Sequence, residues 1–135
     1  MNRITASPEE TEAAGFEFAE SLGSGAVVGL YGELGAGKTC FVRGAARAFH
    51  VHERVNSPSY TLINVYGGGR PFIHMDAFRL KGPDEMLAAG FEDYAGRAGV
   101  CFIEWAERIE PILPAGAFHV RFTVLDERRR RICSE

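Results

Sequence analysis

The chain has 135 residues, of which 46% are hydrophobic and 24% are charged, and its net charge is −3 at pH 7. This composition is typical of a folded globular protein, and it excludes a disordered chain and a strongly basic nucleic-acid-binding protein. We therefore expect a single domain over residues 1–135, without internal repeats or linkers.

The cysteines and the first residues of the chain predict its compartment. Cys40, Cys101 and Cys133 are odd in number and far apart, which argues against a disulfide framework or a zinc site and for a reducing environment. The opening stretch MNRITASPEETE has no apolar segment typical of a secretion signal, and no apolar run approaches the roughly 18 residues of a membrane span. We expect a soluble cytoplasmic protein that does not contact a membrane.

The predicted elements begin with a helix. Ser7 is a suitable N-cap, Pro8 fits the first turn, and Glu10 completes a capping box. Apolar residues then follow at helical spacing as far as Leu22, where glycines end the pattern. The apolar run AVVGLY, residues 26–31, predicts a short strand buried on both faces.

This strand leads directly into GELGAGKT, residues 32–39, which matches the phosphate-binding pattern GxxxxGK[ST] in full. Its glycines let the backbone bend until its N–H groups surround a phosphate chain. Lys38 then reaches the β- and γ-phosphates, and the Thr39 hydroxyl ligates Mg²⁺. The alternative, a glycine-rich turn with an exposed lysine, does not account for the amphipathic helix that follows. The predicted nucleotide-binding residues are Glu33, Leu34, Gly35, Ala36, Gly37, Lys38, Thr39 and Cys40.

The rest of the chain predicts more strands than helices. The segments 60–66 and 70–76 form a predicted hairpin around glycines 67–69, and a short helix is expected over 84–89. GVCFIEW, residues 99–105, reads as another buried strand. Strands are also predicted over 118–124, with one face wet, and over the final RRRICSE. The expected fold class is α/β: a P-loop NTPase-like three-layer fold whose mixed sheet has a parallel core and antiparallel hairpins.

Two acids stand at the ends of predicted strands. Asp76 closes PFIHMD and Glu104 closes VCFIE, so both are expected at the carboxyl edge where α/β sheets bind ligands. Asp76, the shorter acid, suits a metal shell, whereas Glu104 is long enough to reach a water near the γ-phosphate as general base. The predicted catalytic residues are Glu104 and Lys38, and the predicted metal-binding residues are Thr39, Asp76 and Glu104. The alternative for Glu104 is a capping or salt-bridging carboxylate.

Other residues have more than one interpretation. Trp105 can stack on the base, cover the nucleotide or pack at the sheet edge, and packing is favoured. Arg79 can neutralise phosphate charge or pair with one of the two acids. His74 has no second ligand at metal spacing and is interpreted as a hydrogen-bonded core histidine. The basic run 128–131 is interpreted as a solvated hairpin end in preference to an RNA contact.

Four motifs, in order, resemble one bacterial family. GELGAGKT, SPSYTL (57–62), HMDAFRL (74–80) and IEWAER (103–108) are similar to the motifs of the small ATPase family TsaE, formerly YjeE, which acts in the biosynthesis of threonylcarbamoyladenosine in tRNA.

The chain departs from that family's usual motifs at four positions, while the functional acids are retained. Ser59 stands where threonine is usual, Ala77 and Phe78 replace a Leu-Tyr pair, and Ala106 replaces a proline.

The resemblance implies roles and partners that composition and spacing do not. It implies that Thr39 and Asp76 serve Mg²⁺, that Glu104 is the catalytic carboxylate, and that residues 57–61 form a nucleotide-sensing switch. It also implies that TsaD and TsaB are partners, in the complex that transfers threonylcarbamoyl to adenosine in the tRNA anticodon loop. ATP binding and hydrolysis by this chain would then assemble or reset that complex, through which tRNA contact is possible.

Two alternative functions remain open from the residues. A small-molecule kinase would use the same loop, but such enzymes commonly close an arginine-rich lid, and Arg97 is the only arginine between Lys81 and Trp105. A nucleotide-gated binding module with negligible turnover would need Lys38 but not Glu104. The chain has no NKxD-like guanine-binding motif, which favours ATP as the nucleotide.

Overall fold

A computed structural model describes residues 1–58, 60–67 and 70–135 of the chain. The strands are β1 (Asn2–Thr5), β2 (Ala26–Tyr31), β3 (Ile63–Tyr66), β4 (Phe72–Asp76), β5 (Val100–Glu104), β6 (Phe118–Val124) and β7 (Arg130–Ser134). The helices are α1 (Pro8–Glu20), α2 (Lys38–Ala48), α3 (Pro83–Ala88) and α4 (Phe91–Tyr94), with a 3₁₀ helix over Ala106–Ile112.

The seven strands form one mixed sheet in the order β1-β7-β6-β2-β5-β4-β3. The four central strands, β6, β2, β5 and β4, are parallel, whereas β3, β7 and β1 pair antiparallel with their neighbours. This arrangement confirms the predicted α/β class with a parallel core and antiparallel hairpins. It also brings the carboxyl ends of β2, β4 and β5 to one edge of the sheet.

Both faces of the sheet are apolar, and each face packs against helices through its own cluster of buried side chains. Val28 and Leu30 of β2 pack under α1 and α2, whereas Val27 faces the opposite cluster, which includes Met86 of α3 and Ile109 of the 3₁₀ helix. Alternate side chains of one strand thus enter different layers, as the period of two requires. A sheet with helices packed on each of its two faces confirms the predicted three-layer fold.

Helix α1 begins as its sequence predicts and ends two residues earlier than the apolar spacing suggests. The Ser7 hydroxyl accepts the Glu10 N–H at 3.1 Å, but the Glu10 carboxylate accepts the N–H of Ala6 at 3.0 Å, one residue before the cap. The helix ends at Glu20, and Ser21 caps it, so Leu22 lies beyond the helix.

Helices α1 and α2 touch through glycines. A Cβ at Gly15 would lie 2.0 Å from the Phe41 carbonyl oxygen, and one at Gly44 would lie 1.8 Å from the Glu12 carbonyl oxygen. Each helix therefore presents bare backbone where the other approaches most closely. This contact fixes α2, and with it the loop before α2, against the rest of the layer.

Four elements differ from the sequence-based expectation. Strand β3 starts at Ile63, because Leu62 is left-handed at φ 67° and its N–H closes a turn to the Pro58 carbonyl at 2.7 Å. The hairpin of β3 and β4 is present, although glycines 68 and 69 lie outside the described residues. Strand β1 was not predicted from the sequence, and neither were helix α4 and the 3₁₀ helix.

The structure also bears on the predictions about disulfides and membrane spans. The three cysteines are free thiols, and burial raises the pKa of the Cys101 thiol. Among the residues that the structure describes, no helix is long and apolar enough to cross a membrane.

Candidate functional site

The loop from Gly32 to Gly37 joins the end of β2 to the start of α2 and forms the cradle expected from the motif. Gly32, Gly35 and Gly37 have φ values of 151°, 79° and 101°, which residues other than glycine rarely adopt. A Cβ on Gly32 would also lie 2.8 Å from the Phe122 carbonyl oxygen. The first amides of α2 have no acceptor within their own helix, so they point a partial positive charge into this cradle.

Lys38 is folded into the loop that it follows. Its side chain is 5% exposed, and its amine donates to the carbonyl oxygens of Gly32 and, at 3.0 Å, of Glu33. The amine also lies 4.0 Å from the centroid of the Trp105 ring, in cation–π contact. Burial lowers the pKa of Lys38, and the nearby Glu104 carboxylate opposes that shift. A buried ammonium held by neutral carbonyls is well placed to exchange them for phosphate oxygens.

Glu104 ends β5 and lies against the start of α2. The Thr39 hydroxyl is 2.9 Å from each of its carboxylate oxygens, and His74 Nε2 is 2.6 Å from Oε2. Both Glu104 and His74 are almost completely buried, at 3% and 0% exposure. The prediction that His74 is a hydrogen-bonded core histidine is thus confirmed, and its partner is the predicted catalytic acid.

Asp76 ends β4 directly beside Glu104, with which it is paired in the parallel register. Its carboxylate accepts the N–H of Phe78 at 2.8 Å and the hydroxyl of Ser57. Asp76 is 3% exposed. The structure therefore brings together the predicted metal-binding residues: a hydroxyl on α2 beside Glu104, and two adjacent carboxylates at the sheet edge.

The side chains of Thr39, Asp76 and Glu104 suit an Mg²⁺ site that water and phosphate oxygens complete, and they do not form a metal site made of protein ligands alone. Within the described ranges, no group of three or more histidine, cysteine or acidic side chains could hold an ion. Mg²⁺ instead is commonly bound by one or two carboxylates together with waters and substrate phosphates. The hard oxygens of Thr39, Asp76 and Glu104 match that pattern.

Two adjoining clefts surround the loop. The first, of about 260 Å³, is lined by the loop residues with Arg43, Glu104 and Trp105. The second, of about 370 Å³, lies toward Ser7, Thr11, Arg128 and Arg130. Both clefts are lined by Gly35, Gly37 and Cys40, so they meet across the loop.

The basic run 128–131 lies where β6 turns into β7, as predicted for a hairpin end. Arg129 pairs with Asp126 at 2.8 Å, and its hydrogen bonds lower the pKa of Asp126 to about 2. Arg130 instead points to the loop and donates to the Gly35 carbonyl at 3.1 Å and 3.3 Å. No local sequence pattern indicates this contact, because Gly35 and Arg130 are far apart along the chain.

Trp105 and Arg79 have defined surroundings. Trp105 is left-handed at φ 58°, packs beside the cluster beneath α3, and lies 4.9 Å from the Phe78 ring. This location agrees with the favoured packing role and adds the contact with Lys38. Arg79 lies over the ring of Tyr60, 4.4 Å from its centroid, and donates to its hydroxyl at 3.1 Å.

The segment 57–61, which the resemblance implies to be a switch, is only partly described. Ser57 contacts Asp76, and the Thr61 hydroxyl donates to the Asn64 side chain at 2.9 Å. Tyr60 is 84% exposed. Ser59, one of the four departures from the family motifs, lies outside the described residues.

Comparison with known proteins gives a consistent result. The model of the family described as "Threonylcarbamoyl adenosine biosynthesis protein TsaE" matches residues 5–132. A tRNA threonylcarbamoyladenosine biosynthesis protein TsaE from Treponema pallidum is 36% identical, with 98% of each chain covered. The protein of that name from Bacillus subtilis is 36% identical over 97% of this chain and 90% of its own. The crystal structure of Bacillus subtilis YdiB superimposes with a TM-score of 0.82 at 33% identity, covering 98% of this chain and 82% of that one.

Proposed function

Since the chain belongs to the TsaE family of tRNA threonylcarbamoyladenosine biosynthesis proteins, we propose that it binds Mg·ATP at the loop 32–39 and hydrolyses it slowly. The observation that carries this proposal is the convergence of Lys38, Thr39 and Glu104 at the mouth of a glycine-built cradle. If Lys38 and Glu104 had only structural roles, the glycine-rich loop around them would be unexplained.

The loop residues 33–40 would hold the phosphates. Their N–H groups and the N-terminus of α2 would surround the phosphate chain, and Lys38 would leave the carbonyls of Gly32 and Glu33 for phosphate oxygens. Thr39, Asp76 and Glu104 would hold Mg²⁺ and its waters. The ion, when bound, neutralises charge that develops on the phosphates during transfer.

Glu104 is the group best placed to orient an attacking water. It is held at the carboxyl edge of β5 beside the phosphate cleft, and its carboxylate is fixed from two sides by Thr39 and His74. A positioned carboxylate can accept a proton from water as it attacks. We assign Glu104 the role of general base and Lys38 that of transition-state charge partner.

The nucleoside would lie toward the second cleft, since it adjoins the phosphate cleft across Gly35 and Gly37. Arg128 and Arg130 line that cleft and can stack on a base. The absence of an NKxD motif from the sequence supports ATP over GTP.

We further propose that turnover serves a complex with TsaD and TsaB, in which nucleotide binding and hydrolysis assemble or reset the machinery that modifies tRNA. Contact with tRNA would then come through the complex. This role places the chain in the cytoplasm, where its three free thiols stay reduced.

Phosphate release from Mg·ATP, measured for the chain alone and with added TsaD and TsaB, tests the proposal. We expect slow release alone and faster release with both partners. No release in either condition would leave a nucleotide-gated binding module, and radiolabel transfer to an added small acceptor would indicate a kinase. Either result would contradict the proposed hydrolysis.

A further inference from the structure

Among the residues that the structure describes, His74 is the one buried titratable side chain that touches the predicted catalytic acid and has no proposed part in binding nucleotide or metal. It lies on β4 two residues before Asp76, so the two side chains share a face of the sheet. Asp76 is paired in register with Glu104 of β5, which makes His74 the diagonal neighbour of Glu104. The contact therefore follows directly from the parallel register.

The hydrogen bond has a defined direction. A carboxylate only accepts, so the proton between His74 Nε2 and Glu104 Oε2, 2.6 Å apart, is carried by the imidazole. The other ring nitrogen, Nδ1, is buried and has no hydrogen-bond partner among the described residues. A proton on Nδ1 would be a buried donor without an acceptor, which is costly. The arrangement selects the tautomer with hydrogen on Nε2 and a bare Nδ1.

Thr39 and His74 both hydrogen-bond the Glu104 carboxylate, but they differ in their exposure to the phosphate cleft. Thr39 lies on α2 and lines the phosphate cleft, where a bound ligand would contact it. His74 is 0% exposed and belongs to a sheet strand whose five residues are all buried. Of the two supports, His74 is the one that lies within the buried sheet and does not line the phosphate cleft.

We propose that His74 is a positioning residue that fixes the Glu104 carboxylate for its reaction with water by donating Nε2–H to Oε2. This inference rests on the proposed function, because it assigns a support to the acid of that reaction. Removing a partner that orients a functional group commonly costs about 10- to 100-fold in activity. The loss should fall on turnover and leave Mg·ATP binding nearly unchanged.

Two substitutions of His74 separate positioning from packing. His74→Gln keeps an N–H donor at nearly the same distance from the backbone, whereas His74→Met fills a similar space without one. His119→Gln is the matched control, because His119 also lies on a sheet strand but its side-chain hydrogen bond is to the Tyr31 hydroxyl and not to Glu104. Thermal unfolding of all four proteins shows whether each is folded.

The steady-state rate of phosphate release with TsaD and TsaB, and the Kd for Mg·ATP, are then measured for each folded protein. We expect kcat to fall about 10- to 100-fold in His74→Met with Kd within about 3-fold of wild type, and to recover substantially in His74→Gln. Equal kcat in wild type and His74→Met would overturn the inference while the proposed function stands. Absence of turnover in the wild type would overturn both.

A second measurement needs neither turnover nor substitution. The ¹⁵N chemical shifts of the imidazole ring in the wild-type chain report which nitrogen carries the proton. We expect a protonated Nε2 and a bare Nδ1 at His74. The opposite tautomer would overturn the inference even if every variant failed to fold.

Discussion

The hydroxyl of Thr39 donates to both carboxylate oxygens of Glu104, at 2.9 Å each, and thereby joins the first turn of α2 to the end of β5. A hydroxyl has one proton to donate and two lone pairs with which to accept. Thr39 can therefore keep its bond to Glu104 while its oxygen faces a cation. The same atom links the predicted metal site to the predicted base.

Thr39 substitutions test this double use. Thr39→Ala removes both the donor and the lone pairs, so Mg·ATP affinity should fall and the Glu104 carboxylate should lose one support. Thr39→Ser retains the hydroxyl and should stay within about 3-fold of wild-type affinity, since only a methyl group is removed. Isothermal titration calorimetry of both variants measures the difference. Equal affinities in Thr39→Ala and Thr39→Ser would show that the hydroxyl does not serve the ligand.

Glu104→Gln tests the general base. The amide keeps the shape of the side chain but is a poor proton acceptor, so phosphate release should fall by roughly 10² to 10⁴ while the chain still binds Mg·ATP. Glu107→Gln is the control, because Glu107 is exposed three residues further along. A loss under tenfold in Glu104→Gln, equal to that of the control, would assign the water-orienting role to Asp76 or to a partner protein.

Trp105 should report nucleotide binding by fluorescence. It is the only tryptophan in the chain, and the Lys38 amine lies 4.0 Å from its ring centroid. If Lys38 turns from the loop carbonyls to phosphate, the ring loses a cation neighbour and its emission changes. Titration with Mg·ATP should give a saturable change with the Kd found by calorimetry. Saturable calorimetric binding without any change in emission would show that Lys38 stays on Trp105.

Gly44→Ala tests the close contact of α1 and α2. The added methyl would lie 1.8 Å from the Glu12 carbonyl oxygen, so the helices must separate. We expect the free energy of unfolding to fall by about 1–3 kcal/mol or more. Gly23→Ala is the matched control, since nothing lies within 4 Å of its Cβ, and its effect should stay within about 0.5 kcal/mol. Equal free energies of unfolding for Gly44→Ala and Gly23→Ala in denaturant melts would contradict this packing.

Tyr31 should make stability depend on pH in the alkaline range. Burial is the main cause that raises the pKa of Tyr31 from 10.0 to about 12, and its hydroxyl contacts His119 Nδ1 at 2.8 Å. The folded state thus favours the neutral phenol. This contribution is fully present below pH 10 and is lost as the pH rises toward about 12.

The comparison of wild type with Tyr31→Phe isolates that contribution. The difference in unfolding free energy between the two proteins should be constant up to about pH 9 and should shrink in favour of the variant above pH 10. Urea melts at several pH values measure it. A difference that stays constant to pH 11 would show that Tyr31 ionises alike in folded and unfolded chains.

Local sequence patterns predicted the elements that carry the site. The apolar runs of β2 and β5 and the glycine loop between β2 and α2 are read from neighbouring residues, because strand burial and loop chemistry are local properties. Strand β1 was not predicted, because its sequence NRIT is only four residues long and its partner β7 lies at the other end of the chain.

Contacts that depend on tertiary structure could not be predicted in the same way. The bond of His74 to Glu104 needs the knowledge that β4 and β5 are parallel neighbours in a given register. The bond of Arg130 to Gly35 needs the position of the β6–β7 hairpin beside the loop. The late start of β3, at Ile63, depends on a single left-handed residue, Leu62, which no periodicity reveals.

Calorimetric titration of Mg·ATP into the wild-type chain, Lys38→Ala and Lys81→Ala tests the central claim most directly. Lys38 and Lys81 are the only lysines, and Lys81 is exposed outside the loop. A charge-assisted hydrogen bond contributes about 1.5–3 kcal/mol, so Lys38→Ala should bind roughly 10- to 100-fold more weakly, with Lys81→Ala unchanged. Equal Kd values for all three proteins, each with a normal unfolding transition, would contradict phosphate binding at this loop.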